Sequence, residues 1–338
     1  MVAAACVVGW PGWAPAETGA PVLDYPLGVR SEGMGQTGTA DAWDPQNLYF
    51  NPAHVAGVEG GYAAGSYMLL FPRDTNDVHF NNEALGTGYT FGGRMPIRVA
   101  AGVTIAHLSY GTVTITDING DPLRTDESEE RAVAFTAGAR ATVGGRAHVS
   151  LGLAFKRWTA HYVEVVYQPV GFKMDRSASM FDVGTVVSTD AEAGDWRVQP
   201  ALGVAWVNLG SDIDAGLRED PLPSRFQYGV STRVVGPDVV LGSASVPAVS
   251  ATLNIDGIHG LSGQDPTWGF GTELAFMDAV FLRWGRRVDD REREPFSAWG
   301  VGLGLPLGHL RARLEYANID EMRDKFGATV VWLFGGAD

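Results

Sequence analysis

Three scarcities bound this chain before any motif is read. It holds one cysteine, Cys6, in 338 residues, so no internal disulfide framework braces the fold. It holds no run of the ~20 apolar residues that a membrane-spanning helix needs. Positive charge is thin: lysine occurs only as Lys156, Lys173 and Lys325, and the formal net charge is -14. A nucleic-acid binder needs a basic face, so nucleic acid is excluded as a partner. Catalytic signatures are missing too. There is no H-E-x-x-H pair, Walker loop, G-x-S-x-G elbow or Cys-His nucleophile, and the seven histidines are scattered. No cofactor and no enzymatic activity are expected. The alternative is a Ser, His and Asp that meet only inside a barrel, as in barrel lipases.

What the chain does have is a rhythm. From about residue 58 onward, segments of roughly 9–13 residues alternate apolar with small or polar side chains, the period-2 signature of strands. In 247–257, Val249, Ala251, Leu253 and Ile255 oppose Ser250, Thr252, Asn254 and Asp256. In 224–235, Phe226, Tyr228, Val230 and Val234 oppose Arg225, Gln227, Ser231 and Arg233. In 279–288, Val280, Leu282 and Trp284 oppose Arg283, Gly285 and Arg287; in 308–317, Leu310, Ala312, Leu314 and Tyr316 oppose Arg311, Arg313 and Glu315. In 325–335 one face is Phe326, Ala328, Val330, Trp332 and Phe334. About 14 strands can be counted. Pro200, inside the 196–208 strand, removes a ladder donor and predicts a bulge or kink.

The connections alternate as well. PRDTNDVHFNNEA after the first strand is long, GGRMP is short, the stretch through Asp117 and the acidic DESEE is long, and Gly144-Gly145 is short. The order continues with a long 159–179, a short EAGD, a long LGSDIDAGLREDPLPS and, after a medium 236–246, a short Met277-Asp278, a charged DDREREP and a short Gly308-His309. A soluble sandwich has no reason to keep this order. A transmembrane antiparallel β-barrel of a bacterial outer membrane does, with tight periplasmic turns and longer outer loops. Its outward face would meet outer-membrane lipid. A charged side chain facing lipid at mid-bilayer costs about 2–4 kcal/mol, so Arg225, Arg233, Arg283, Arg287, Arg311, Arg313 and Glu315 are expected to face the lumen. The 44 glycines suit crowded inward positions. Trp158, Trp196, Trp206, Trp268, Trp284, Trp299 and Trp332 are expected at strand ends or outward faces as interfacial girdles.

Residues outside the rhythm fall into two parts. Residues 1–16 end on small residues after an apolar stretch and read as a signal-peptide-like segment without its basic start. A lipoprotein reading of Cys6 is weaker, since Ala3 stands where Leu is usual. Residues 17–57 show no strand alternation and are expected to fold inside the barrel as a hatch or plug, leaving 58–335 as the barrel. GMGQTG at 33–38 matches a dinucleotide fingerprint, but no strand precedes it. It reads instead as a tight turn. Asp117, Asn119 and Asp121 have part of a calcium-loop pattern without its closing Glu, so they are weak metal candidates in a solvated acidic loop.

The segment Arg30 to Gly57, RSEGMGQTGTADAWDPQNLYFNPAHVAG, resembles the N-terminal region of the PorV/PorQ family, within the wider FadL-like group of outer-membrane barrels. The residues that carry the likeness are Met34-Gly35, Thr39-Ala40, Asp41 and Asp44, Tyr49-Phe50, and Asn51-Pro52-Ala53. SMFDVGTVV, GVAWVNLGS and LPSRFQYGVSTRV resemble later strands in the same order. The resemblance implies a fourteen-stranded barrel with Met34, Gly35, Asp44, Asn51, Pro52 and Ala53 in an internal hatch. It also implies a non-enzymatic role in protein export or surface attachment, with secreted proteins or secretion-system components as partners. The alternative within the group is passive transport of hydrophobic small molecules, which predicts an apolar pocket and a hatch opening.

Overall fold

The computed structural model describes residues 19–41, 44–58, 60–70, 78–117, 119–163, 174–216, 218–241, 244–261, 266–289, 295–307, 309–319 and 323–332. The signal-like segment and Phe334 lie outside the described residues. Fourteen strands form one closed antiparallel sheet: β1 (Gly60–Leu70), β2 (Val78–Phe91), β3 (Ile97–Thr116), β4 (Pro122–Val143), β5 (Ala147–His161), β6 (Asp175–Thr189), β7 (Trp196–Gly210), β8 (Arg225–Val235), β9 (Val249–Gly260), β10 (Thr267–Phe276), β11 (Val280–Asp289), β12 (Phe296–Leu307), β13 (Leu310–Ile319) and β14 (Arg323–Trp332). Neighbours in sequence are neighbours in the sheet, and β14 pairs with β1 through partners such as Ala63 and Val330. A short extra strand, Ala191–Ala193, pairs with the start of β7. Each of the fourteen strands is thereby paired on both sides, the condition for strands to cross lipid.

The two faces of the sheet identify its surroundings. Leu151, Leu153, Leu303 and Leu314 are 60–66% exposed on the outer face, in a belt shared with Phe135, Leu202, Leu253 and Leu282. A soluble monomer does not display so continuous an apolar surface, whereas a hydrocarbon environment requires it. The chain is a bacterial outer-membrane β-barrel. Aromatic rings run along its outer face: Trp206, Phe226, Tyr228 and Trp268 touch in succession with centroids 4.8–5.6 Å apart, as do Trp299, Tyr316 and Phe326. Trp158 departs from the girdle expectation. It is fully buried on the inward face, where its indole N–H donates to Glu130 Oε2 at 3.1 Å.

Two local expectations are corrected. DESEE, expected in a loop, is strand: β3 and β4 run as a long hairpin past the apolar belt, with a register shift between Ser109 and Thr112. Above the belt both faces of a strand meet water, so charge no longer opposes strand structure. The bulge expected at Pro200 is not there. Pairing with β6 ends at Ala201, so the missing N–H of Pro200 falls where that ladder has already stopped. The irregularity sits near the other end of β7, between Phe181 and Val183, opposite Asn208 at φ 60°. The medium connection after β8 is a hairpin of its own, Asp238–Leu241 with Ala244–Pro247.

The described residues of 19–58 form no strand. They build a helical turn α1 (Val29–Gly33) and 3-10 turns at Pro21–Asp24, Pro45–Tyr49 and Pro52–Gly57. The Pro52–Gly57 turn touches β3 to β6, while α1 touches β11 to β14. The segment therefore reaches inward-facing residues on both sides of the barrel.

Candidate functional site

The site is the contact between this N-terminal segment and the inner wall. Asp44 and Asn51 each start a 3-10 turn whose first residue is proline, and each side chain accepts a backbone N–H two residues on: Gln46 N at 2.8 Å and Ala53 N at 3.0 Å. Proline lacks the donor that a first turn would leave unpaired, and Asp or Asn supplies the cap. The Asn51 amide then donates to Thr39 O and Thr185 O at 3.0 Å and to Val204 O at 3.3 Å. One side chain thus caps its own turn, closes the segment on itself and meets two wall strands.

Close approach depends on wall glycines. A Cβ on Gly152 would stand 2.3 Å from Ala53 N and from the Pro52 carbonyl carbon. A Cβ on Gly285 would stand 2.0 Å from Gly35 N and 2.1 Å from the Met34 carbonyl carbon. Gly35 itself has φ +69°, and its own added Cβ would lie 2.5 Å from Arg286 N. Met34 is fully buried, and its carbonyl accepts from Thr37 Oγ1 at 2.9 Å. The 33–38 motif is thus a turn seated on the wall of β10 and β11.

Charge fixes the middle of the contact. Arg30 Nε and Nη2 donate to the two oxygens of Glu273 on β10, both at 3.0 Å, and Arg30 Nη1 pairs with Asp41. Arg283 Nε joins Glu273 Oε2 at 2.6 Å, while its Nη2 stands 2.7 Å from Glu315 Oε1. Arg283 reaches β13 across β12 because Gly302 offers no side chain there. Burial alone would raise the Asp41 carboxyl; Arg30 and the Asn254 amide hold it below its ordinary value. Asp256 receives Gly38 N at 2.7 Å and Thr39 N at 2.8 Å. Lys325 is fully buried, 3.7 Å from Glu32 and bonded to the Pro26 carbonyl, with its ammonium 5.0 Å from the Phe80 ring centroid. Two of the chain's three lysines face inward, since Lys156 pairs with Asp182 at 2.6 Å.

The other polar residues anticipated from the strand pattern share this inward face at different depths. Arg225 donates to Leu23 O at 3.1 Å and lies over the Tyr49 ring. Arg287 donates to Gln36 Oε1 at 2.8 Å and Thr267 Oγ1 at 2.7 Å. Arg313 stands 4.4 Å from the Phe281 centroid. Arg233 and Arg311 gather near the short-turn end around Asp278, at 4.0 and 3.5 Å. Asp117 is remote from all of them. Its Oδ1 accepts Asn119 N at 2.8 Å and Asp121 N at 2.9 Å, so the carboxylate organises the β3–β4 turn.

Toward the outer mouth the interior turns apolar. Met68, Leu70, Phe80, Leu108, Trp158 and Met180 from the wall meet Val22, Leu23, Leu27, Tyr49 and Phe50 of the segment. A cavity of about 40 Å³ remains between Val22, Leu23, Tyr25, Leu48, Ala106 and Lys156. Beside Val22 the carboxylate of Glu130 accepts four neutral donors: Val22 N at 3.0 Å, Trp158 Nε1 at 3.1 Å, Tyr110 OH, and Tyr162 OH at 2.9 Å. Glu273, Asp256, Lys325 and Glu130 were not singled out by sequence reasoning. Glu273, Asp256 and Lys325 sit among polar or small inward alternants, a signal shared by many wall positions with no such role.

No family model and no curated protein matches the chain. Solved structures similar to it include the Pseudomonas putida toluene transporter TodX (9% identity, TM-score 0.46, covering 90% of this chain and 96% of that one). A Pseudomonas aeruginosa FadL homologue is similar at 10% identity and TM-score 0.43, over 91% and 98% of the two chains. The β domain of the Bordetella autotransporter BrkA is similar at 17% and 0.37, over 82% and 100%. The likeness is one of barrel architecture.

Proposed function

We propose that the protein is a passive outer-membrane transporter of hydrophobic small molecules, with residues 19–58 as its hatch. The observation that carries this reading is the apolar inner surface at the outer mouth, occupied by side chains of the chain's own N-terminal segment. Val22, Leu23, Tyr25 and Leu27 fill a space that a hydrophobic cargo would otherwise enter, and the 40 Å³ left over holds a water or two but no hydrocarbon. Passage therefore requires Val22–Leu27 to withdraw, while the ionic contacts of Arg30 and Asp41 and the caps of Asp44 and Asn51 hold the remainder in place. A role in protein export makes no use of this apolar lining. Its cargo would sit on the outer surface instead.

The test is native mass spectrometry of protein gently released from its own membrane, paired with tryptophan fluorescence titrated with a medium-chain alkane. Co-released lipophilic molecules, and a saturable signal lost in Trp158→Phe, are expected. An empty barrel carrying a secreted protein, with no saturable signal, would overturn the reading in favour of export.

A further inference from the structure

Each 3-10 turn of the N-terminal segment must satisfy the free N–H groups of its first residues. The turns at Pro45–Tyr49 and Pro52–Gly57 do so from within, through Asp44 and Asn51. The turn at Pro21–Asp24 cannot, because Ala20 stands at its start and has no side-chain acceptor. Its Val22 N–H donates instead to Glu130 Oε2 on β4, at 3.0 Å and 108 positions away. The cap of this turn therefore belongs to the wall. An ionised carboxylate offers about four lone-pair sites. Oε2 of Glu130 takes Val22 N and the Trp158 indole N–H at 3.1 Å, and Oε1 takes the hydroxyls of Tyr110 and, at 2.9 Å, Tyr162. Tyr110 is on β3, Trp158 is on β5 and Tyr162 directly follows β5. Of the four donors, Val22 alone belongs to the hatch. Glu130 and Trp158 are fully buried. They share the inward faces of β4 and β5 with Ala132, Ala134 and Ala154, which line the cavity beside Val22.

We infer that Glu130 determines cargo specificity, selecting an apolar molecule that carries one hydroxyl, an alcohol or a phenol. The inference rests on the transport reading above: withdrawal of Val22–Leu27 opens an apolar space and takes one donor away from a buried carboxylate. An acceptor left unmade in such a place costs more than a formed bond returns. A hydrocarbon fills the space and leaves that cost standing. A carboxylate head brings no donor at neutral pH, and an ammonium brings three for a single vacancy. A hydroxyl supplies one neutral donor where the Val22 amide stood. Its apolar body takes the place of Val22 and Leu23 in the cluster that includes Leu108, Trp158 and Met180.

Tryptophan fluorescence of the full chain in nanodiscs, with empty nanodiscs subtracted, tests this with n-octanol, its isomer heptyl methyl ether, and octanoate. The first two differ in the donor and not in composition. The expected result is saturable binding that favours n-octanol by about tenfold or more over the ether and over octanoate. Glu130→Met, which removes both acceptor oxygens, should lose that preference. A purely structural role for Glu130 would free the segment and strengthen all three ligands alike, leaving their ratios unchanged. Wild-type binding of n-octanol no tighter than that of the ether or of octanoate would overturn the inference and leave transport standing, and this comparison needs no variant. A preference that survives in a Glu130→Met barrel with normal heat-dependent gel mobility would do the same. Saturable binding of none of the three would remove the transport reading and the inference with it.

Discussion

Neutralising Glu273 should loosen residues 19–58 from the barrel wall. Glu273 accepts both ends of the Arg30 guanidinium and the Nε of Arg283, with Arg30, Asp41 and Arg283 all buried. Glu273→Gln keeps the shape and removes the charge, leaving two guanidinium groups to share Asp41 and Glu315. Breaking a buried ion pair on one side costs about 3–5 kcal/mol. The barrel itself is held by fourteen backbone ladders that this change does not touch, so the cost falls on the docking of residues 19–58. At roughly 1.4 kcal/mol per tenfold, a loss of about 3 kcal/mol raises the undocked population on the order of 100-fold. Planar-bilayer recording should show frequent large openings where the wild type is quiet, and protease should cut the segment faster. A cycle with Arg30→Gln should show strong coupling, because the second change then removes little more. Wild-type conductance and protection in a Glu273→Gln barrel with normal heat-dependent mobility would refute the argument.

Three further outcomes follow from the same contacts. Asn51→Ala loses a cap and three carbonyl contacts, worth roughly 2–3 kcal/mol together; hydrogen exchange at residues 38–57 should accelerate, and unchanged protection would count against the hatch at this point. Gly285→Val places a side chain where Gly35 N lies at 2.0 Å from the added Cβ, so β11 should assemble while residues 33–36 become protease-sensitive; full protection would contradict the packing. Docking should also depend on pH. Burial, against the Gly38 carbonyl at 2.8 Å, holds His54 down to about 4, below its ordinary 6.5, so it contributes stability at neutral pH that is lost as pH falls from about 6.5 to about 4. Asp44 acts with the opposite sign: burial and then Glu315 push it up to about 6, so its contribution is present in acid and lost as pH rises through about 6. Openings of the wild type between pH 7 and 4 should therefore change shallowly, and His54→Gln should stay more closed near pH 5; identical curves would remove His54 from the account.

The sequence by itself determined the wall. Period-2 alternation marks which side chains share a face, and hydrocarbon forbids charge on one of those faces, so the pattern alone leads one to expect Arg225, Arg283 and Glu315 on the inward face. Alternating connection lengths then set which end faces the periplasm. Strand ends were less legible: DESEE lies beyond the lipid, where the rule linking charge to loops no longer operates. The pairing of inward residues across the lumen was decided only by the tertiary structure. Glu273 meets Arg30 some 243 positions away, and Arg283 meets Glu315 because Gly302 between them is bare. Trp158 was misread for the same reason. Its partners Glu130 and Val22 come from different parts of the chain, and a local pattern carries alternation along a strand but no record of what stands opposite inside a closed barrel.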